Sequence, residues 1–114
     1  MPHIFKIVDH AICDAIERDG VFAGAGIDLQ DGYIHFSTAA QAPETVRLHF
    51  AGRDQLIIFA VDAAAVQDRL KWELSRGGHL FPHVYGIVRL REISWQKPLP
   101  WNGQTHVFPR ETFL

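Results

Sequence analysis

Residues 55–62, Gln-Leu-Ile-Ile-Phe-Ala-Val-Asp, decide how the rest of the chain must be arranged. Between Gln55 and Asp62 the segment is apolar on both alternating faces, so a strand formed here has to be covered from two sides. Such a strand belongs in the middle of a sheet. The flanking segments must supply its neighbours and its cover.

Upstream, Ile4 to Val8 is an apolar, β-branched and aromatic run interrupted only by Lys6, the pattern of a strand buried on at least one face. Asp9 then stands where a carboxylate can accept from the free N–H groups of a first helical turn. Ile12, Ala15 and Ile16 recur on one face before Gly20, which predicts a helix over 10–19. Residues 21–32 carry three glycines and an Asp31-Gly32 turn signal, so irregular chain is expected before a short strand, Tyr33-Ile34-His35-Phe36. Ser37 and Thr38 end that strand with hydroxyls, and Pro43 fits the first turn of a helix over 43–50 with Val46, Leu48 and Phe50.

Downstream, Ala63 to Val66 reads as a turn of helix, Leu70 to Leu74 as strand and Ser75 to Gly78 as a tight loop. Gly86 to Trp95 reads as one long or two short strands. The tail, with Pro98, Pro100 and Pro109, is expected to run extended against the body. The elements together predict an α+β fold of mixed sheets with two main helices, in a single domain over 1–114.

Bulk properties narrow the function classes. Apolar residues make up 47% of the 114 residues and charged residues 21%, the usage of a globular domain. A net charge of -2 gives no general attraction for nucleic acid or for an anionic membrane. Cys13 is the only cysteine, so no internal disulfide forms, and it reads as a small buried apolar residue. No run approaches the roughly 20 apolar residues of a membrane span, and Met1 to Phe5 lacks the charged start and apolar run of a signal peptide. A cytoplasmic monomer or small homo-oligomer is therefore expected.

Two segments carry most of the chemistry. In Gly32-Tyr-Ile-His-Phe-Ser-Thr38, alternation puts His35 and Ser37 on one face, and a strand end running into a helix start offers N–H groups suited to a phosphate or carboxylate. A capping role explains Ser37 and Thr38 equally well, with His35 an ordinary satisfied histidine. In residues 75–86, Ser-Arg-Gly-Gly-His-Leu-Phe-Pro-His-Val-Tyr-Gly, Arg76 suits an anion, Gly77 and Gly78 allow close backbone approach, and His83 suits proton transfer. An ordinary glycine turn with half-exposed aromatics fits the same residues. Glu73 either faces solvent or enters the cleft as a base or as partner to Arg76. His3 and Lys6, three residues apart, fall on opposite faces of the first strand and do not serve one site together. Seven histidines raise the question of metal, but their spacings are not those of ligands, and no metal site is expected.

Several strings in fixed order, namely His-Ile-Phe at 3–5, Gly-Tyr-Ile-His-Phe-Ser-Thr-Ala at 32–39, His-Phe-Ala-Gly at 49–52, Leu-Lys-Trp-Glu at 70–73 and Phe-Pro-His-Val-Tyr-Gly at 81–86, resemble the bacterial family DUF952. The order of elements resembles the core of the ADP-ribosyltransferase fold. That resemblance implies an NAD cleft, with His3 as the basic residue of the first strand and Ser37-Thr38 as the second motif. It also implies a late-strand glutamate, where this chain has His83 and Tyr85, with Glu73 displaced earlier. Tyr33, Phe81 or Tyr85 would stack on a planar base.

The expected site is thus a polar cleft for a nucleotide or other phosphorylated small molecule. His83, Glu73 and His35 are the candidate catalytic groups, and His3, Ser37, Thr38, Arg76, Gly77 and Tyr85 the candidate ligand-binding ones. No resident cofactor is indicated beyond NAD. Two competing readings are a non-catalytic interaction module using Trp95, Trp101 and Phe108, and a metal-assisted hydrolase using His35, His79 and His83.

Overall fold

A computed structural model of the chain describes residues 2–114. Strand β4 (Leu56–Asp62) lies between β1 (His3–Asp9) and β8 (Ile93–Pro98), antiparallel to both. The doubly apolar run is therefore central, and both faces are covered. Ile57, Phe59 and Val61 join Ile4 and Val8 of β1 in one core cluster, closed by Cys13 and Ile16 of helix α1 (His10–Asp19). Leu56, Ile58 and Ala60 join Phe5 and Ile7 in a second, closed by Val46 of a later helix, Ala42–His49, and by Leu99 of the tail.

A second three-stranded antiparallel sheet is built from Ile34–His35 (β3), Leu70–Leu74 (β5) and Leu80–Val84 (β6), in the order β3, β6, β5. A two-stranded pair, Val21–Phe22 (β2) with Val88–Arg89 (β7), completes three antiparallel sheets. Between β2 and β3 lies a short helix, α2 (Ile27–Asp31), and Ala42–His49 is α3. The two larger sheets meet at one point. Phe5 N–H donates to the Ser37 carbonyl (2.8 Å) and Ser37 N–H to the Phe5 carbonyl (2.9 Å), so the end of β3 is tied to the middle of β1.

The α+β class, the central strand, β5, α1 and the two short strands in 86–95 agree with the expectations from sequence, and α3 begins and ends one residue earlier than expected. Four details differ. Residues 21–32 are not plain loop: Phe22 is buried in the core, and α2 gives that stretch a third helix beside the two expected. Asp9 makes no capping hydrogen bond to α1, because its carboxylate turns to Arg53 instead. The sheets, expected to be mixed, are all antiparallel, because every strand pairs with a neighbour running the other way. Residues 80–84, for which the sequence pattern predicts no separate strand, form the middle strand of the second sheet despite Pro82.

Proline is tolerated there for a geometric reason. A strand residue points its N–H and C=O to the same side, and the Pro82 carbonyl accepts from Phe36 N–H (3.0 Å), on the β3 side. The missing donor thus faces the place where β3 is leaving the ladder, and no bond to β5 is lost. The tail packs on the body as expected. Leu99 is fully buried, and Trp95 lies against Phe5 with ring centroids 5.9 Å apart. Trp95, Trp101 and Phe108 are all half-buried.

Phe59, fully buried, receives the rings of Phe22 (5.6 Å) and Phe36 (6.0 Å) edge-on, joining all three sheets in one aromatic contact. Phe59→Ala should cost about 3–5 kcal/mol of stability, read as a lowered urea midpoint with an unchanged slope.

Candidate functional site

The splay between β1 and the β3-β6-β5 sheet encloses a cavity of about 770 Å³. Its floor is the polar face of the second sheet. Alternation puts Tyr33, His35 and Ser37 on that face from β3, Phe81, His83 and Tyr85 from β6, and Lys71 and Glu73 from β5. In register, His35 lies opposite His83, which lies opposite Lys71, while Phe81 lies opposite Glu73. The other walls come from β1, the 25–27 turn, α3 and Arg53.

Of the residues singled out in the sequence, His35, Ser37, Arg76 and His83 line this one cavity. Glu73 and Tyr85 stand beside it on the same sheet face and reach it through His83. The Glu73 carboxylate accepts from His83 Nδ1–H (2.8 Å) and from the Tyr85 hydroxyl (2.8 Å). The His83 hydrogen bond, then that of Tyr85, holds the Glu73 carboxyl below the usual carboxylate range, and the same bond to Glu73 pushes the Tyr85 phenol up to about 12. Glu73 is therefore a partner of His83 and not of Arg76.

Three expected contributors are not in the cavity. His3 Nε2 faces Ser94 Oγ (3.2 Å) across the sheet, because His3 projects from the face of β1 opposite Lys6. Thr38 closes the turn into α3: its hydroxyl accepts from Gln41 N–H (3.2 Å). The Thr38 N–H donates to the Gln41 side chain (3.0 Å) and the Ser37 N–H to Phe5, so neither amide is left for a diphosphate. Gly77 supplies only backbone shape, with φ of 68° in the turn between β5 and β6. Among the described residues no three histidine, cysteine or carboxylate side chains converge as metal ligands, and His79 does not line the cavity.

The sequence reading missed the group that organises the site. Asp28, on α2, is buried and accepts four hydrogen bonds: from Lys6 Nζ (2.8 Å to Oδ2), Ala25 N–H (3.0 Å), His35 N–H (3.0 Å) and His35 Nδ1–H (2.6 Å). Lys6 also donates to the His35 carbonyl (2.9 Å), and His35 Nε2 faces Asp31 (3.0 Å). Burial pushes the Lys6 ammonium down against the pull of Asp28. Burial also works to raise Asp28, but Lys6 and the His35 donors outweigh it and hold the carboxyl below its ordinary range.

Arg76 is placed differently. Its guanidinium lies over the Phe81 ring (4.9 Å) and donates to Thr45 Oγ1 (3.1 Å), which is hydrogen-bonded to Ser37 Oγ (3.0 Å). Among the described residues no carboxylate comes within ion-pair distance of it, whereas Lys6 is paired with Asp28 and Arg53 with Asp9. Arg76 is the cavity arginine held in no ion pair, although its charge helps to hold the Glu44 carboxyl below its ordinary range after the bond from Arg47.

A carboxyl depressed by folding stabilises the native state above its unfolded pKa, about 3.9 for aspartate, and loses that contribution as pH falls through the lower folded value. Asp28→Asn should cost about 3–5 kcal/mol near neutral pH, since it leaves the buried Lys6 unpaired. Its stability, measured by urea unfolding, should then fall less steeply than that of the wild type below about pH 4.

Residues 7–96 match the family described as protein of unknown function, DUF952. The X-ray crystal structure of protein CC0527 from Caulobacter crescentus is similar at 36% identity, covering 98% of this chain and 99% of its own, with a TM-score of 0.92. A solution NMR structure of CC0527 is 39% identical over 93% of this chain and 91% of its own, with a TM-score of 0.83. No curated protein matches the chain. The chain belongs to the DUF952 family.

Proposed function

We propose that the cavity binds a nucleotide or another phosphorylated small molecule, with Arg76 as the anchor of its phosphate. The observation that carries this reading is the unmatched guanidinium on a pocket wall. A cation held by an aromatic face and a hydroxyl, with no carboxylate partner, gains most from an incoming anion, and guanidinium geometry suits phosphate oxygens bidentately. The volume supports the same reading, since small-molecule sites run to roughly 300–1,000 Å³. Phe36, Phe50 and Phe81 give the cavity apolar surface for a planar base.

A more specific form of the proposal is that the domain is related to ADP-ribosyltransferases and takes NAD. Two splayed antiparallel sheets with the ligand cavity between them support it. The basic residue of the first strand would then be Lys6, not His3. The carboxylate that such a transferase aims at its substrate has no counterpart among the cavity residues: the acid there is Asp9, and it is paired with Arg53. Size and the Arg76 cation fit the dinucleotide. The acid group of the usual transfer chemistry does not.

Isothermal titration calorimetry with inorganic phosphate, ADP, ADP-ribose and NAD tests both forms. Binding should appear at micromolar to millimolar concentration and weaken at least tenfold in Arg76→Ala. Heat with the adenosine ligands but none with phosphate would favour the dinucleotide form. No heat from any of the four at millimolar concentration would remove the proposal.

A further inference from the structure

We propose that His83 is the proton-transfer residue of this cavity, that Glu73 positions it, and that the reaction served is hydrolysis of a phosphate ester. The inference rests on the phosphate-binding reading of Arg76 and adds a chemical step to it.

The two cross-strand histidines, with rings 5.2 Å apart, are held in opposite ways. Both ring nitrogens of His35 face carboxylates, Asp28 on one side and Asp31 on the other. No nitrogen of His35 remains for a ligand, so it is a brace of the wall. His83 has one carboxylate partner, on Nδ1, and its Nε2 has no hydrogen-bond partner among the described residues although the side chain is only 4% exposed. A neutral ring that donates Nδ1–H to Glu73 carries its lone pair on Nε2. The ring is also clamped, because Tyr33 stacks on it at 4.4 Å and Tyr85 shares the Glu73 oxygen.

What sits beside His83 selects the reaction. Phe81 and His83 are two residues apart on one face of β6, about 7 Å along the strand. The Arg76 guanidinium covers Phe81, and both line the same cavity as His83, so a phosphoryl group anchored there would lie on the imidazole's side of the cavity. The electrophile nearest the base is then phosphorus. A sugar carbon would have no comparable anchor beside Nε2.

In the step, water gives a proton to His83 Nε2 as its oxygen bonds to phosphorus. The bond from phosphorus to the ester oxygen breaks, and that oxygen leaves with the electron pair. An alkoxide leaving group, on the far side of phosphorus, is protonated by solvent while Nε2–H releases its proton to solvent, so ester and water give alcohol and phosphate with the histidine restored. Glu73 accepts Nδ1–H throughout and favours the transient imidazolium. As it touches neither water nor ester, it acts only through His83.

The test uses the full chain with p-nitrophenyl phosphate and bis(p-nitrophenyl) phosphate, reading p-nitrophenolate release. Wild type should turn over at least one ester. His83→Ala and His83→Gln should lower kcat by about 100-fold or more, with phosphate affinity by calorimetry within about twofold. Glu73→Gln should lower kcat roughly tenfold at unchanged KM, a split that general loosening of the fold would not give. In long-range 15N–1H NMR spectra of the neutral wild-type ring, the His83 proton should be on Nδ1. The opposite tautomer, no turnover of either ester, or turnover that survives both His83 variants would overturn the inference. If phosphate, ADP, ADP-ribose or NAD still binds in those cases, the reading of Arg76 stands; if none of the four binds, that earlier reading is the one that fails.

Discussion

A carboxylate removed from water has to be met by donors on all sides, and Asp28 meets this requirement by drawing three separate segments together. Lys6 arrives from β1, Ala25 from the turn before α2, and His35 from β3 with both backbone and side chain. The same segments also share apolar burial, Ile4 and Val8 with Ile34, Phe36 and Ala25, so the polar contact is laid over a common core. Removing any one donor would leave charge uncompensated in a dry setting, which makes the arrangement close to all-or-none. Gly24 shows how tight it is: with φ of 114°, a Cβ there would lie 2.9 Å from Asp28 Cβ. Glycine is the residue that lets the loop close over its own carboxylate.

The same contact decides which charges remain for a ligand. Lys6 points into the cavity, yet its ammonium is already shared between Asp28 and the His35 carbonyl. Arg53 at the rim is held by Asp9, which for that reason does not cap α1. His35 is held between two aspartates. The cavity thus contains several basic side chains but a far smaller uncommitted positive charge, concentrated at Arg76. An electrostatic reading that counted basic residues would overstate the attraction for polyanions and miss its location.

The elements legible in the sequence were those whose cause is local. Leu56 to Val61 is apolar on both faces, α1 shows its stripe and ends at Gly20 in a left-handed conformation, and β5 alternates cleanly. The elements missed have distant causes. Strand β6 forms across Pro82 because β3 departs at that residue, and no neighbouring sequence announces it. Helix α2 is five residues long between glycines and exists because its Asp28 is wanted by Lys6, 22 positions earlier. For the site, the alternation of His35 with Ser37 and the content of 75–86 pointed to one sheet face. Choosing His3 over Lys6 was an error of facing that the pattern could have corrected: one charged residue inside an apolar strand has to be either solvated or paired. Lys6 is paired, and His3 is exposed on the far side.

Register also explains why Glu73 does not itself reach the ligand space. β5 is the outer strand of its sheet, and Glu73 lies opposite Phe81, so a middle strand stands between its backbone and the cavity. From that position its carboxylate meets the diagonal neighbour His83 and the Tyr85 hydroxyl, and neither bond carries it into the cavity. Moving a glutamate directly into the cavity would require it on β6, where Phe81 supports the Arg76 guanidinium and His83 fills the next inward position. A carboxylate beside Arg76 would also neutralise the cation proposed as the anchor for an anion. Placing the acid one strand away and coupling it through an imidazole keeps the positive anchor and a proton acceptor in the same small space, which two directly adjacent opposite charges could not do.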